Sequence, residues 1–368
     1  MIGLSEIQIL ESRRLLSVSV TAAGDLVATG DLNGDHRADE VIVHRDLATR
    51  NLTVQIETGT GTGIFVQSDS TSLANFTPTS VAVGDVNRDG AADVVISGVA
   101  LLVPTGTTNL QSFLTPTIAK NEVIVLFGDG KGHFQRSSAT ASVNEDVFSV
   151  QHLSSTSSVA VGDLDGSGFA DIAVLGKGAI ASTSSITLAN QTAIDVLWDP
   201  AKPGLSPTYL DTVVVPPSNP NVDTLFTGDL NGDGRPDLVA ALAQQISVVP
   251  VLRGATIPIR PDLVTVSFPS GHTPVVSSGI NPLDGPTPLA NSITLRGSTK
   301  TVGLGALSKG GPIDLVGLRG NTIVYSAYDP TLGFGAARVA RSNGTPPLLG
   351  AAQIQFGDID GDGLPDLL

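Results

Sequence analysis

The chain has 368 residues, no cysteine, and a formal net charge of −15 from 20 Lys and Arg against 35 Asp and Glu. The missing cysteines exclude a disulfide framework, a thiolate metal site and a cysteine nucleophile, and the acidity argues against nucleic acid, whose phosphates demand clustered Lys and Arg. Its 41 Gly and 23 Pro interrupt every long apolar stretch, so no segment sustains a helical period or supplies the roughly 20 apolar residues of a membrane-crossing helix. The chain reads as all-β with no transmembrane segment.

Residues 1–22 form a separate N-terminal segment. Glu6 and Gln8 interrupt its apolar stretch, and the basic pair Arg13-Arg14 follows that stretch rather than preceding it, so the usual secretory layout is not met. From residue 23 onward one pattern recurs: an apolar run, Gly-Asp, a polar loop, Asp, and a second apolar run.

In chain order, the first loop carries Asp31, Asn33, Asp35, Arg37 and Asp39 at its positions 1, 3, 5, 7 and 9. The second carries Asp85, Asn87, Asp89, Ala91 and Asp93, and the third Asp163, Asp165, Ser167, Phe169 and Asp171. Their lead-in runs, Ser80 to Asp85 and Ser158 to Asp163, are identical. Next come Asp229, Asn231, Asp233, Arg235 and Asp237, and last Asp358, Asp360, Asp362, Leu364 and Asp366. Sixteen of the 35 acidic residues fall in these five loops, which makes the acidity site charge and not general surface charge.

Calcium is a hard cation that takes about 6 to 8 oxygen ligands, and a tightly curled loop turns alternate side chains onto one point. Positions 1, 3 and 5 supply carboxylate, amide or hydroxyl oxygens. Position 7 offers only its backbone carbonyl, so its side chains are free to differ. Position 9 closes the cage with its carboxylate. Gly90, Gly168, Gly234 and Gly363 at position 6 suit a sharp turn, and His36 stands there in the first loop. A helical EF-hand would need Glu at position 12, where the first four loops have Ile42, Ile96, Val174 and Ala240. Each loop feeds an apolar strand instead. The expectation is up to five Ca²⁺.

The first aspartates are spaced 54, 78, 66 and 129 residues apart, so the last interval should hide a degenerate copy. Val302 to Val316 aligns with the repeat, with Ala306, Ser308 and Gly310 in place of ligands and only Asp314 kept. This copy is expected to fold without metal. Between loops a second pattern recurs, an alternating strand, a Gly-rich turn and a strand opening with Phe, as in Val54 to Phe65 and Val123 to Phe134. Four strands per repeat is the size of a propeller blade.

On these loops and strands the chain resembles the FG-GAP/VCBS repeats of integrin α-subunit propellers and of bacterial surface proteins, over roughly residues 24 to 368. The resemblance implies a β-propeller of four-stranded blades over 23–368, with Ca²⁺ in loops joining the first two strands of each blade. The expectation is five full repeats and a partial sixth, cut from a longer propeller such as a seven-bladed one; the competing arrangement has Glu6–Leu10 and Leu15–Val20 complete the last blade. His36 in place of Gly and Ser167 in place of a carboxylate mark the first and third loops as the weakest sites. Leu10 to Leu16 is similar to the LEPR-xLL motif of exported planctomycete proteins, with Ser12 replacing Pro, which implies export.

Catalytic strings are sparse. Phe268 to His272, with Arg253 and Arg260 upstream, is similar to part of the type 2 phosphatidic acid phosphatase signature, but no histidine follows His272. Pro269 to Thr273 is expected to be a loop between blades. His36, His44, His133 and His152 are scattered and read as exposed strand or loop positions. The leading functional expectation is a non-catalytic calcium-binding module on or outside a bacterial cell, binding a protein or carbohydrate, as a monomer or as part of a larger chain. A propeller-type polysaccharide lyase and a structural surface spacer are the alternatives.

Overall fold

The computed structural model describes residues 24–46, 51–102, 118–137, 142–150, 152–178, 191–202, 210–214, 222–241, 263–270, 272–279, 299–305, 313–319, 322–329, 332–339, 356–359, 361 and 366–367. Among them every regular element is a β-strand, as composition and patterning require.

The first blade is the antiparallel meander β1 (Leu26–Gly30), β2 (Asp39–Arg45), β3 (Leu52–Gly59) and β4 (Phe65–Leu73). The second is β5 (Phe76–Gly84), β6 (Asp93–Leu102), β7 (Ile118–Leu126) and β8 (Glu145–Ser149), and the third is β9 (Ser155–Gly162), β10 (Asp171–Gly178), β11 (Gln191–Leu197) and β12 (Leu210–Val214). The fourth is β13 (Thr224–Gly228), β14 (Asp237–Ala241), β15 (Leu263–Ser270) and β16 (Thr273–Gly279). In the fifth, β17 (Thr299–Gly305), β18 (Asp314–Arg319) and β19 (Thr322–Asp329) are joined by the short β20 (Gly333–Phe334) and β21 (Arg338–Val339), both paired with β19. A two-stranded sheet of β22 (Phe356–Gly357) and β23 (Asp366–Leu367) follows. The fold is an all-β propeller with five blades, mostly of four antiparallel strands.

The described chain divides into two compact units. One spans Ser19–Asp163 and Ser167–Val214 and holds the first three blades; the other includes 215–368 together with Leu164–Gly166. In the first unit the central strands are apolar on both faces. Strand β6 sends Val94 and Ile96 into a cluster with Val41, Val54 and Ile56, and Val95 into a second cluster with Val159, Ile172 and Val174. This explains the continuous apolar runs, which a half-solvated strand would break with polar residues. Each such Val or Ile contributes roughly 1.5–3 kcal/mol by burial. In the second unit Leu230, Val239, Leu315 and Val324 form the corresponding core.

In three of the Gly-Asp pairs the Gly ends a first strand where side chains from the next blade crowd in. A Cβ on Gly30 would lie 2.5 Å from Val83 Cγ1, one on Gly84 2.6 Å from Val161 Cγ1, and one on Gly228 2.8 Å from Leu304 Cδ2. At these three positions the repeat's glycine is a packing requirement.

Two expectations need correction. Pro269 to Thr273 is no connection between blades: β15 and β16 pair across it, Ser270 with Thr273, so it is a hairpin inside the fourth blade. The Phe134 pattern opens only an isolated bridge, Gly128 with Phe134, and the fourth strand of that blade begins at Glu145, because Asn144 and Phe127 first exchange further backbone contacts through Gln135. Elsewhere the pattern holds, with Phe65 opening β4. The N-terminal segment, its Leu10–Leu16 motif and the candidate strands 6–10 and 15–20 lie outside the described residues, as do Arg253, Arg260, Ala306, Ser308 and Gly310.

Candidate metal centres

Each loop leaves the first strand of a blade and re-enters at the start of the second. Two positions adopt left-handed backbone. Position 6 does so at His36 (φ 64°), Gly90 (86°), Gly168 (88°) and Gly234 (85°), as its glycines indicate. Position 4 does so as well, at Gly34 (77°), Arg88 (61°), Gly166 (77°), Gly232 (77°) and Gly361 (80°). The repeated glycine at position 4 was the available signal for this second bend. His36 and Arg88 take a conformation that L side chains resist.

Position 2 is a hydrophobic plug. Leu32, Val86, Leu164, Leu230 and Ile359 are all at most 5 % exposed, so the loop is pinned to the core beside its first ligand. Position 9 is the most buried polar position of the repeat: Asp39, Asp93, Asp171, Asp237 and Asp314 are at most 4 % exposed. Its carboxylate ties three segments together. Asp39 accepts Leu32 N–H with Oδ2 (2.8 Å) and Gly59 N–H with Oδ1 (2.8 Å). Asp93 does the same for Val86 (2.9 Å) and Gly128 (3.0 Å), Asp171 Oδ1 accepts Asp199 N–H (2.8 Å), and Asp237 Oδ2 accepts Leu230 N–H (3.0 Å). Asp314 keeps the same buried position in the degenerate fifth repeat, where positions 1, 3 and 5 hold no carboxylate.

Burial pushes Asp39 and Asp237 up to about 6 and Asp93 to about 7, against the pull of their backbone donors. The position 1 and 5 carboxylates of the same loop push in the same direction. Each loop thus concentrates negative charge around an already buried carboxyl.

In the first, second and fourth loops, positions 1, 3 and 5 curl inward over the loop backbone. Asp31 accepts Gly34 N–H (2.7 Å) and His36 N–H (2.8 Å), Asn33 Oδ1 accepts Asp35 N–H (2.9 Å), and Asp35 Oδ1 accepts Arg37 N–H (2.9 Å). Asp85, Asn87 and Asp89 repeat this toward Gly90, Asp89 and Ala91. Asp229, Asn231 and Asp233 repeat it toward Gly234, Asp233 and Arg235. In the last loop Asp358 Oδ1 accepts Gly361 N–H at 2.8 Å. Asp360, Asp362 and Leu364 lie outside the described residues, and Asp366 begins β23.

The third loop is arranged differently. Asp163, Asp165 and Asp171 each bring a carboxylate oxygen to within 4.8 Å of the others. Asp163 Oδ2 accepts Gly168 N–H (2.8 Å), while its Oδ1 is buried with no hydrogen-bond partner among the described residues. Ser167 Oγ accepts Phe169 N–H at 3.2 Å, taking the place of the position 5 carboxylates, and donates to Asp199 Oδ1. Asp165 Oδ2 lies 3.1 Å from His272 Nε2. A buried, unpartnered carboxylate oxygen inside a set of hard oxygen donors fits a calcium-type cation and offers nothing to a soft metal.

All five histidines lie beside an aspartate, His36 by Asp31, His44 by Asp25, His133 by Asp129, His152 by Asp195 and His272 by Asp165. Among the described residues, no helix is long and apolar enough to cross a membrane.

A family model described as FG-GAP-like repeat matches residues 31–96, from the first loop into β6. No curated protein matches the chain. Among solved structures, it is similar to an Agrocybe aegerita lectin described as recognising non-reducing terminal N-acetylglucosamine, at 13 % identity and TM-score 0.35, over 86 % of this chain and 80 % of that one. It is also similar to part of the Photorhabdus luminescens Tc holotoxin pore, at 14 % identity and TM-score 0.42, over 98 % of this chain but 13 % of that one. These are weak likenesses, and the ligands of those proteins say nothing about this one. The chain carries an FG-GAP-like repeat within a β-propeller, and its third blade holds an aspartate triad that could bind a metal ion.

Proposed function

We propose that the protein is a calcium-braced, non-catalytic binding module displayed on or outside a bacterial cell, presenting propeller loops to a protein or carbohydrate. The observation that carries the metal reading is the third-blade loop, where Asp163 Oδ1 is buried without a partner beside the carboxylates of Asp165 and Asp171. Asp163, Asp165, Ser167 and Asp171 would hold the ion there. The same positions serve in the loops beginning at Asp31, Asp85, Asp229 and Asp358.

Bound calcium supplies positive charge that neutralises the converging carboxylates of a loop. The protein's own residues do the rest. Position 2 anchors the loop in the core, position 9 joins loop entry to the following hairpin, and the left-handed bends aim positions 1, 3 and 5 inward. Such a device braces strand ends and thereby fixes the loops at one end of each blade. The assignment as a binder follows from where the carboxylates are committed: the dense ones bond backbone amides of their own loop, an arrangement suited to structure and not to proton transfer.

The test is a screen of labelled bacterial and plant polysaccharides and of extracellular matrix proteins for binding, with calcium and with chelator. Calcium-dependent binding without chemical change is the expected outcome. Release of unsaturated sugar products would make the protein a lyase instead.

A further inference from the structure

Ser167 leaves the third loop without the position 5 carboxylate that Asp35, Asp89 and Asp233 provide elsewhere. The register of each blade shows what stands in its place. The residue whose N–H meets the position 9 aspartate is Gly59 in the first blade, Gly128 in the second and Asp199 in the third. In every case it lies two residues past the partner of position 10: Glu40 pairs with Glu57, Val94 with Leu126, and Ile172 with Leu197. By the same count the fourth and fifth blades have Phe268 and Tyr328, since Leu238 pairs with Val266 and Leu315 with Ser326. Among the first four blades, the one that lacks the position 5 carboxylate is the one that has a carboxylate at this hairpin position; the fifth, whose loop has Ala306, Ser308 and Gly310 at positions 1, 3 and 5, has Tyr328 there.

In the first two blades space forbids a side chain there, because a Cβ on Gly59 or Gly128 would run into the carbonyl oxygen of Ala38 or Ala92. Asp199 reaches the position with a left-handed backbone (φ 45°), a conformation that Asp adopts more readily than most residues. Its Oδ1 accepts the Ser167 hydroxyl, and its Oδ2 is held by Lys202 Nζ at 2.7 Å. Lys202 in turn lies 5.1 Å from the centroid of the Phe169 ring. The Ser167 hydroxyl proton is thereby directed at Asp199 while its Oγ accepts Phe169 N–H, which fixes the side chain at the loop.

We infer that Asp199 is a positioning residue for a divalent cation in the third loop: it fixes the orientation of the Ser167 hydroxyl oxygen that stands where position 5 has lost its carboxylate. This rests on the metal reading above, and it reverses the expectation that Ser167 makes this one of the two weakest sites. Both Asp199 oxygens are engaged, so it acts through the serine and not as a direct ligand. Outer-shell partners of this kind change metal affinity by about 10- to 100-fold when removed.

The protein carries its own probe, since its single tryptophan, Trp198, adjoins Asp199 and is buried. Tb³⁺ titrated into the full chain, with indole excitation, should give sensitised emission from the third loop in preference to the others. Asp199→Asn should weaken that titration about tenfold, and Ser167→Ala, at an exposed position that leaves the fold intact, should weaken it similarly. Adding Ser167→Asp to Asp199→Asn should restore it, which a merely structural defect in the hairpin would not allow. Unchanged titrations in Asp199→Asn and Ser167→Ala would overturn the inference and leave the metal reading standing. Absence of Trp198-sensitised emission in the unmodified protein would overturn both.

Discussion

The first loop, Asp31–Asp39, and the third, Asp163–Asp171, share a backbone frame yet dispose their carboxylates in opposite ways. In both, positions 4 and 6 are left-handed, position 2 is a buried leucine, and position 9 is a buried aspartate tied to a hairpin amide. In the first, both Asp31 oxygens accept backbone N–H groups. In the third, Asp163 keeps one buried oxygen unbonded, and its carboxylate clusters with those of Asp165 and Asp171. The frame is thus a folding element in its own right, and metal binding is a property laid over it by side chains at positions 1, 3 and 5. The fifth repeat carries the same lesson, since it keeps Asp314 and its strands without the ligands.

The largest expected effect separates the two contributions globally. Extracellular calcium modules bind with dissociation constants of about 10⁻⁴ to 10⁻³ M, and at tenfold excess each site adds roughly 1.4 kcal/mol when the unfolded chain does not bind. Five sites would add about 7 kcal/mol, comparable to the stability of a whole domain. Chelation should therefore lower the melting temperature sharply; an unchanged value would remove the metal layer from the account.

Asp93→Ala should come next. It strips acceptors from Val86 and Gly128 amides in a buried setting, costing about 2–5 kcal/mol. Urea unfolding should register that loss with or without calcium, whereas Asp163→Asn should register a loss only in calcium. Equal calcium dependence of the two variants would erase the distinction between frame and ligands.

Proton linkage gives a smaller effect of defined sign. Asp39, Asp93 and Asp237 have folded-state values raised to between about 6 and 7, against about 4 in an unfolded chain. Between those limits the folded state holds protons that the unfolded state has released, so in chelator stability falls as pH rises from about 4 to about 7, on the order of 3 kcal/mol per group. Calcium favours the ionised loops and should flatten or invert that slope. Melting temperatures across this range, in chelator and in calcium, provide the check.

The smallest effect concerns the bends. His36→Gly relieves a left-handed non-glycine residue and should stabilise the first loop by about 0.5–1 kcal/mol after the entropic cost of glycine. Arg88→Gly should gain less, because Arg88 lies 5.5 Å from the centroid of the Phe169 ring and forfeits that contact. Matched urea titrations would show whether the ordering holds.

Much of this was legible in the sequence because repetition exposes geometry. Gly-Asp at repeat spacing located the loops, and runs such as Asp93 to Ile96 located central strands. What escaped was whatever depends on register across a blade. Asp199 stands outside every loop motif and joins the third site only because Ile172 pairs with Leu197. The tying role of position 9 was hidden behind its resemblance to a ligand, and the hairpin at Ser270 and Thr273 behind its resemblance to a phosphatase string.

The most direct measurement is calorimetric titration of calcium into the metal-free protein beside its Asp163→Asn variant. The account predicts that the variant loses one calcium from the stoichiometry while remaining folded in calcium through its other loops. An identical stoichiometry and affinity in the two proteins would contradict the claim that the third-blade carboxylates hold the metal.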